Sequence, residues 1–231
     1  MRLRNFFSGV KMGIPVMIGF VPVAIAFAIM AMNAGMSAAE TICMSVFVFA
    51  GASQMMTVGM IAEGAGMLSI VIATFIMNFR HFIMGTCIFE RMEKTSALDK
   101  LVCGFGVTDE SFAIFTTADK EKCNKWYFLG VLVSTYLSWV VGTVIGALAS
   151  AALPEVVSNS LGIALYAMFI ALLVPGVKKN IRILGVVAIT AVLNFGLNYL
   201  IEPSWALIVS TLVGAGVGVF IVPDEGEEVA E

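Results

Sequence analysis

The chain has 231 residues, of which 60% are hydrophobic and 13% charged, with a net charge of −3 and a mean hydropathy of +0.99. That balance excludes an ordinary soluble domain, in which roughly 25% of residues are charged, and no nucleic-acid partner is expected. Several runs exceed the ~20 apolar residues that cross a hydrocarbon core as a helix. Their continuous hydrophobicity argues against a β-barrel, whose strands alternate. The expected fold is all-α: a polytopic integral membrane helical bundle embedded in the lipid bilayer. It comprises about seven transmembrane helices plus a short interrupted or re-entrant segment at 101–118. One transmembrane domain covers residues 1–222, and an acidic C-terminal tail covers 223–231. Cys43, Cys87, Cys103 and Cys123 are scattered without a C-x-x-C pair, so neither a disulfide framework nor a metal site is expected.

Span 1 is predicted over Met12–Met32, interrupted by Pro15 and Pro22. Arg2, Arg4 and Lys11 before it imitate a signal peptide, but the run outlasts a signal h-region and more spans follow, so an uncleaved helix is expected. Asn33-Ala34-Gly35 turns the chain, and Ser37 with Glu40 forms an S-x-x-E capping box. Span 2 covers Ala39–Met60 and span 3 covers Met67–Phe89. After the polar stretch Glu90–Lys100 comes the shorter Leu101–Ala118, interrupted by Thr108-Asp109-Glu110. Span 4 is Trp126–Leu153, closed by Pro154. Span 5 is Leu161–Val174, stopped by Pro175-Gly176. Spans 6 and 7 are Ile183–Ile201 and Ser204–Val222. Three spans followed by three more, with one appended, suggest repeat halves at 12–118 and 126–222. Transporters commonly carry such repeats, with substrate sites near interrupted helices.

Orientation turns on 101–118. A crossing segment places Arg2, Arg4, Lys11, Lys120, Lys122, Lys125, Lys178, Lys179 and Arg182 on one side, opposite Arg91, Lys94 and Lys100. A re-entrant segment instead isolates the three N-terminal residues, and the positive-inside count ties. Because the first helix usually dominates, a crossing segment with a cytoplasmic N-terminus is favoured.

Polar residues inside these spans are the functional candidates. A cation at membrane depth costs on the order of 2.5–3.5 kcal/mol by insertion scales, yet Arg80 stands beside the single histidine, His81, just after Asn78. Thr74, Asn78, His81 and Gly85 share one helical stripe. Arg80 points about 160° away from Asn78, so either the helix distorts there or Arg80 serves a second partner. The plain alternative is an arginine snorkelling to the interface near a helix C-terminus. Thr108, Asp109 and Glu110 form the matching anomaly, with Arg80 the obvious counter-charge. Buried carboxylates pair with a cation or hold a proton; the alternative is a polar surface loop. In Ala50-Gly51-Ala52-Ser53-Gln54, small residues permit close packing and Ser53 and Gln54 can bond across an interface, as structural glue or as ligand contacts. Gly214, Gly216 and Gly218 read as a packing face, since no strand or Walker-type context surrounds them.

Together these motifs resemble the AzlC family of branched-chain amino-acid exporters, over nearly the whole chain. The likeness rests on Gly13-Ile14-Pro15 with Pro22, Ala50-Gly51-Ala52-Ser53-Gln54, Asn78-Phe79-Arg80-His81, and Thr108-Asp109-Glu110-Ser111-Phe112. It departs at Pro22-Val23-Ala24, where the family commonly has Pro-Phe-Gly, and at Met84, where a tyrosine is common; both bear on substrate preference. The resemblance implies export of leucine, isoleucine, valine or methionine across a prokaryotic inner membrane by a multi-pass protein, driven by an ion gradient. It also implies a small hydrophobic AzlD-like membrane subunit as partner, and no cofactor. A zwitterionic amino acid needs a cation for its carboxylate, an acceptor for its ammonium and an apolar pocket. Arg80 suits the first role. Asp109 or Glu110 suits the second, or carries a coupling proton, with Asn78, Thr108, Ser53 and Gln54 adding hydrogen bonds. His81 titrates near neutral pH and is a second candidate proton carrier. Two other classes compete: an intramembrane enzyme pairing His81 with a carboxylate, and a passive channel or scaffold. One histidine cannot build a multi-histidine metal site, and no serine or cysteine has a nucleophile context, so a non-enzyme is expected.

Overall fold

The structure, a computed structural model, describes residues 2–92, 95–119, 122–150, 170, 173–174, 177–178 and 180–221. Among the described residues every regular element is helical: α1 (Arg2–Asn33), α2 (Ala38–Phe47), α3 (Gly51–Ala62), α4 (Met67–Arg91), α5 (Ala97–Phe105), α6 (Asp109–Thr117), α7 (Lys125–Ala149), α8 (Arg182–Leu197) and α9 (Pro203–Ile221). The expected all-α membrane fold is what forms, and α1, α4 and α7 are long and apolar enough to cross a bilayer. The Pro154 stop, Pro175-Gly176, the acidic tail and span 5 apart from 170, 173 and 174 lie outside the described residues. The described residues fall into two compact units, one from 2–63 and 77–150, the other from 64–76 and 170–221.

The first unit is built on α1 and α7. Pro15 and Pro22 were expected to interrupt span 1, but α1 runs unbroken for 32 residues. In lipid, helices associate through close packing of small residues, and this seam is glycine-lined. A Cβ at Gly142 would come within 2.8 Å of the Val21 carbonyl, and one at Gly146 within 2.7 Å of the Ile25 carbonyl. Gly9 and Gly13 face Tyr127 and Ser134 in the same way. Numbers rise together along both helices, so α1 and α7 are parallel.

Two broken helices pack onto α7. Span 2 was expected to be continuous; it breaks at 48–50 into α2 and α3. Ser45, before the break, bonds Thr143 at 2.8 Å. Phe49, at the break, lies edge-on to Tyr136 at 5.1 Å. Beyond the break the chain is back at Trp139, through Gly51 and Gln54. The path therefore descends α7 and returns as a hairpin. Phe49 has φ +43, a left-handed conformation costing a side-chain-bearing residue roughly 1–2 kcal/mol. Its buried ring, wedged against Tyr136 and Phe105, holds it there.

The second broken helix, α5–α6, approaches from the other end of α7. At its base Lys125 Nζ meets Asp99 Oδ2 at 2.9 Å, and Cys123 Sγ donates to the Phe115 carbonyl at 3.6 Å. At its tip Gly106 abuts Leu132, and Phe105 lies 5.7 Å from Tyr136. Both ends of the segment therefore sit at the start of α7, which corrects the expectation that it crosses. Helices of 9 residues are about 14 Å long, half of a ~30 Å hydrocarbon core. With both broken helices doubling back, Arg2, Arg4, Lys100, Lys122 and Lys125 lie towards the first turns of α1 and α7, and Arg91 ends α4 beside the same cluster.

The second unit contains α8 and α9 as an antiparallel pair. Thr190 meets Gly214, Val186 meets Gly218, and Asn194 bonds Ser210 at 3.2 Å. Of the three glycines expected to form a packing face, Gly214 does so tightly, since a Cβ there would overlap the Thr190 side chain, Gly218 lies at ordinary contact distance from Val186, and Gly216 has no described neighbour within 4 Å.

Candidate functional site

The hairpin tips meet at Tyr136. Its hydroxyl donates to the Val46 carbonyl at 3.0 Å, which the end of α2 leaves without a helical partner. Phe49 and Phe105 lie 5.1 and 5.7 Å from its ring and 6.1 Å from each other, so the three rings form one cluster. Just beyond each tip a new helix begins, α3 at Gly51 and α6 at Asp109, so two positive helix N-termini start at this depth.

The two starts are held differently. No side chain caps α3. Gln54 reaches back instead, accepting the Ala50 N–H at 3.2 Å and the Trp139 indole N–H at 3.2 Å, and donating to Ser45 Oγ at 3.2 Å. Thr143 closes the network by donating to the Trp139 carbonyl at 2.9 Å. Helix α6 carries its own capping box: Ser111 N–H donates to Thr108 Oγ1 at 3.2 Å, and Thr108 N–H to Ser111 Oγ at 2.8 Å. Asp109 and Glu110 then occupy its first turn, where carboxylates suit the dipole.

The middle of α4 carries the residues that face these starts. Asn78 Nδ2 donates to Ser53 Oγ at 3.0 Å, and Ser53 passes its own proton to the Ala50 carbonyl at 2.9 Å. Arg80 turns away from Asn78 and pairs with Asp109, Nη2 to Oδ2 at 3.0 Å. A regular helix thus gives the two residues separate partners on separate hairpins. Asn78 Oδ1 is buried and accepts no hydrogen bond from the described residues. Unmet acceptors of this kind cost about 1–3 kcal/mol, so this one is a ready position for a donor.

The expected site residues divide by access. Arg80 and Asp109 keep 43% and 38% of their side chains exposed. His81 follows Arg80, and Glu110 follows Asp109; each is partly buried. Gln54 and Ser53 are fully engaged in the interior, and Thr108 is committed to its cap. Four partners were not singled out from the sequence: Ser45, Tyr136, Trp139 and Thr143. Their available signal was polar hydrogens inside a strongly apolar span, where each must find an acceptor. Among the described residues no cluster of histidine, cysteine and carboxylate could hold a metal.

At the base of α5–α6, the Lys125 ammonium and the Ser96 cap hold the Asp99 carboxyl below the usual carboxylate range. Beside it the Arg2 guanidinium and the Lys125 ammonium both stand 5.6 Å from the Trp126 ring, an aromatic placement typical of membrane interfaces.

Residues 15–153 match the family model described as AzlC protein. An Escherichia coli protein named inner membrane protein YgaZ is 31% identical over 186 residues, covering 76% of this chain and 75% of its own. The Bacillus subtilis branched-chain amino acid transport protein AzlC is 27% identical over 214 residues, covering 90% and 84%. A membrane protein of Archaeoglobus fulgidus is 30% identical over 181 residues, covering 77% and 78%. No solved structure matches the chain.

Proposed function

This chain belongs to the AzlC family, and from that premise we propose that it is a secondary active exporter of leucine, isoleucine and valine, with methionine as a further substrate. The observation that carries the reading is the half-exposed Arg80–Asp109 pair at 3.0 Å, set where two half-helices begin. A zwitterion offers each member of that pair an alternative partner. The substrate carboxylate takes the guanidinium, assisted by the positive end of α3. The substrate ammonium takes the carboxylate of Asp109 or Glu110 and the free Asn78 Oδ1. Every charge keeps a counter-charge while the substrate enters or leaves, which matters because an unpaired charge at this depth costs several kcal/mol.

A carboxylate released from its arginine binds protons more readily, so Asp109 or Glu110 is the proposed proton carrier and His81 the second candidate. Thr108, Gln54 and Ser53 hold the helix starts in place. Basic residues mark the cytoplasmic side, so the end bearing Arg2, Lys122 and Lys125 faces the cytoplasm. The name of the Escherichia coli relative supports a prokaryotic inner membrane. The proposed partner is a small hydrophobic AzlD-like subunit. The name of the Bacillus subtilis relative supports transport over the enzyme reading.

The test is efflux of labelled leucine, isoleucine, valine and methionine from preloaded cells lacking their own exporters, with and without a candidate small subunit. Saturable efflux that an uncoupler alters, and that Arg80→Ala lowers about 10- to 100-fold while still inserting, is expected. Efflux of none of the four by correctly inserted protein would overturn the substrate assignment.

A further inference from the structure

The chain neutralises only part of the positive charge around the starts of α1 and α7. Lys122 pairs with Asp119 at 2.6 Å and Lys125 with Asp99 at 2.9 Å. Arg2, Arg4 and Lys11 have no carboxylate partner among the described residues. Neither helix carries an acidic residue in its first turn, although both present the positive ends of their dipoles there. An anion would relieve the repulsion among these groups, and the protein itself does not provide it.

The unpaired cations are placed in order along α1. Arg2 shares a stripe with Phe6, Gly9 and Gly13, the stripe that meets α7, and its guanidinium stands over the Trp126 ring at 5.6 Å. Arg4 and Lys11, seven residues apart, share a different face, and both are exposed. Between these two edges runs an apolar strip of Leu3, Phe7, Ile14 and Ile18, all exposed and spaced to lie on one face. From Phe7 to Ile18 the strip falls about 17 Å. That is close to the depth of one leaflet of a ~30 Å hydrocarbon core. At its lower end Ile18 borders a groove of about 330 Å³ between α1 and α7, walled also by Met17, Val21, Leu137, Ser138 and Val141. Cations at the level of an interfacial tryptophan, with an uncharged strip beneath them, fit a molecule with an anionic head and an apolar tail.

We propose that this face of α1 and α7 binds an anionic phospholipid, its phosphodiester held by Arg2 and Arg4 and an acyl chain laid along the strip from Leu3 to Ile18. A guanidinium fork matches two phosphate oxygens at once, and the Trp126 ring keeps that of Arg2 in place. Side chains on a helix lean toward its N-terminus, so the Lys11 stem covers the strip while its ammonium climbs toward the head group. A free phosphate would meet the cations and leave the strip unused. A zwitterionic lipid would bring a further cation into the cluster. The occupant is a lipid whose head carries negative charge alone, and it binds whether or not the chain moves amino acids.

The test reconstitutes the full chain in vesicles of equimolar phosphatidylglycerol and phosphatidylcholine, extracts it in mild detergent and counts the retained lipids by native mass spectrometry. Wild type should retain phosphatidylglycerol in excess over phosphatidylcholine. Arg2→Gln and Arg4→Gln should each lower that retention about fivefold, the scale of one basic residue at an anionic surface. Lys122→Gln removes the same unit of charge from the same end of the molecule, but a charge that Asp119 already holds. It should stay within about twofold of wild type on that scale. Excess glycerol 3-phosphate during extraction should leave the lipid bound. Equal retention of the two lipids would overturn the site. So would an equal loss in Lys122→Gln and Arg2→Gln, which is what diffuse attraction to basic residues produces. Displacement by glycerol 3-phosphate would overturn the lipid assignment in favour of a free anion.

Discussion

The two broken hairpins solve the same problem by different means. Each must end one helix and start another in a medium that offers the freed backbone no water. Hairpin α5–α6 does so locally: Thr108 and Ser111 cap each other, and Ser111 Oγ also reaches the Gly106 carbonyl at 2.9 Å. Hairpin α2–α3 is held from outside, by Gln54 on Trp139 and by Tyr136 on Val46. The self-capped hairpin carries charge at its tip, in Asp109 and Glu110. The pinned hairpin is fixed to α7 and supplies an uncharged helix start.

The sharpest way to break the comparison is to remove the charge that links α4 to the self-capped hairpin. Arg80→Ala should cut transport about 10- to 100-fold, the scale of a charge-assisted hydrogen bond, with insertion unchanged. Asp109→Asn should flatten the pH dependence of flux; an unchanged profile would remove Asp109 as proton carrier. Next in size, Gln54→Leu should destabilise the protein by about 1–3 kcal/mol, because it strands the Trp139 N–H and the Ala50 N–H together. Thr108→Ala should cost only about 1 kcal/mol, a single cap. Thermal unfolding in detergent orders the two, and a larger loss at Thr108 would contradict the division into pinned and self-capped hairpins.

The smallest effect concerns the base of α5–α6. Asp99 titrates below its unfolded value in the folded protein. Its contribution is therefore complete above the unfolded carboxylate pKa of about 3.9, and is lost as pH falls through the lower folded value. Lys125→Gln should shrink this acid-side loss of stability in a melting curve measured against pH.

Much of this arrangement was legible in the sequence, and the failures have physical causes. Arg80, Asn78 and Asp109 stood out because charge and amide are costly in lipid; the separation of Asn78 and Arg80 by about 160° left either a distorted helix or a second partner, and the unbroken α4 with Arg80 on Asp109 gives the second. The Ser37–Glu40 box reads directly and forms, with Glu40 Oε2 accepting from the Ser37 N–H at 2.8 Å. The break at Phe49 was hidden, because no glycine or proline interrupts Val46-Phe47-Val48-Phe49-Ala50 and its causes, Tyr136 and Trp139, lie far away in the chain. Pro15 and Pro22 misled in the opposite sense: a helix pinned along a glycine seam tolerates two missing donors.

The central claim is that Arg80 and Asp109 part to hold the two ends of one zwitterion. Competition against labelled leucine binding to the purified full chain tests it most directly, with leucinamide lacking the carboxylate and 4-methylpentanoate lacking the ammonium. The account predicts that neither analogue competes at concentrations where leucine saturates, and that Arg80→Ala loses leucine binding. Equal competition by either analogue, or leucine binding that survives Arg80→Ala, would contradict it.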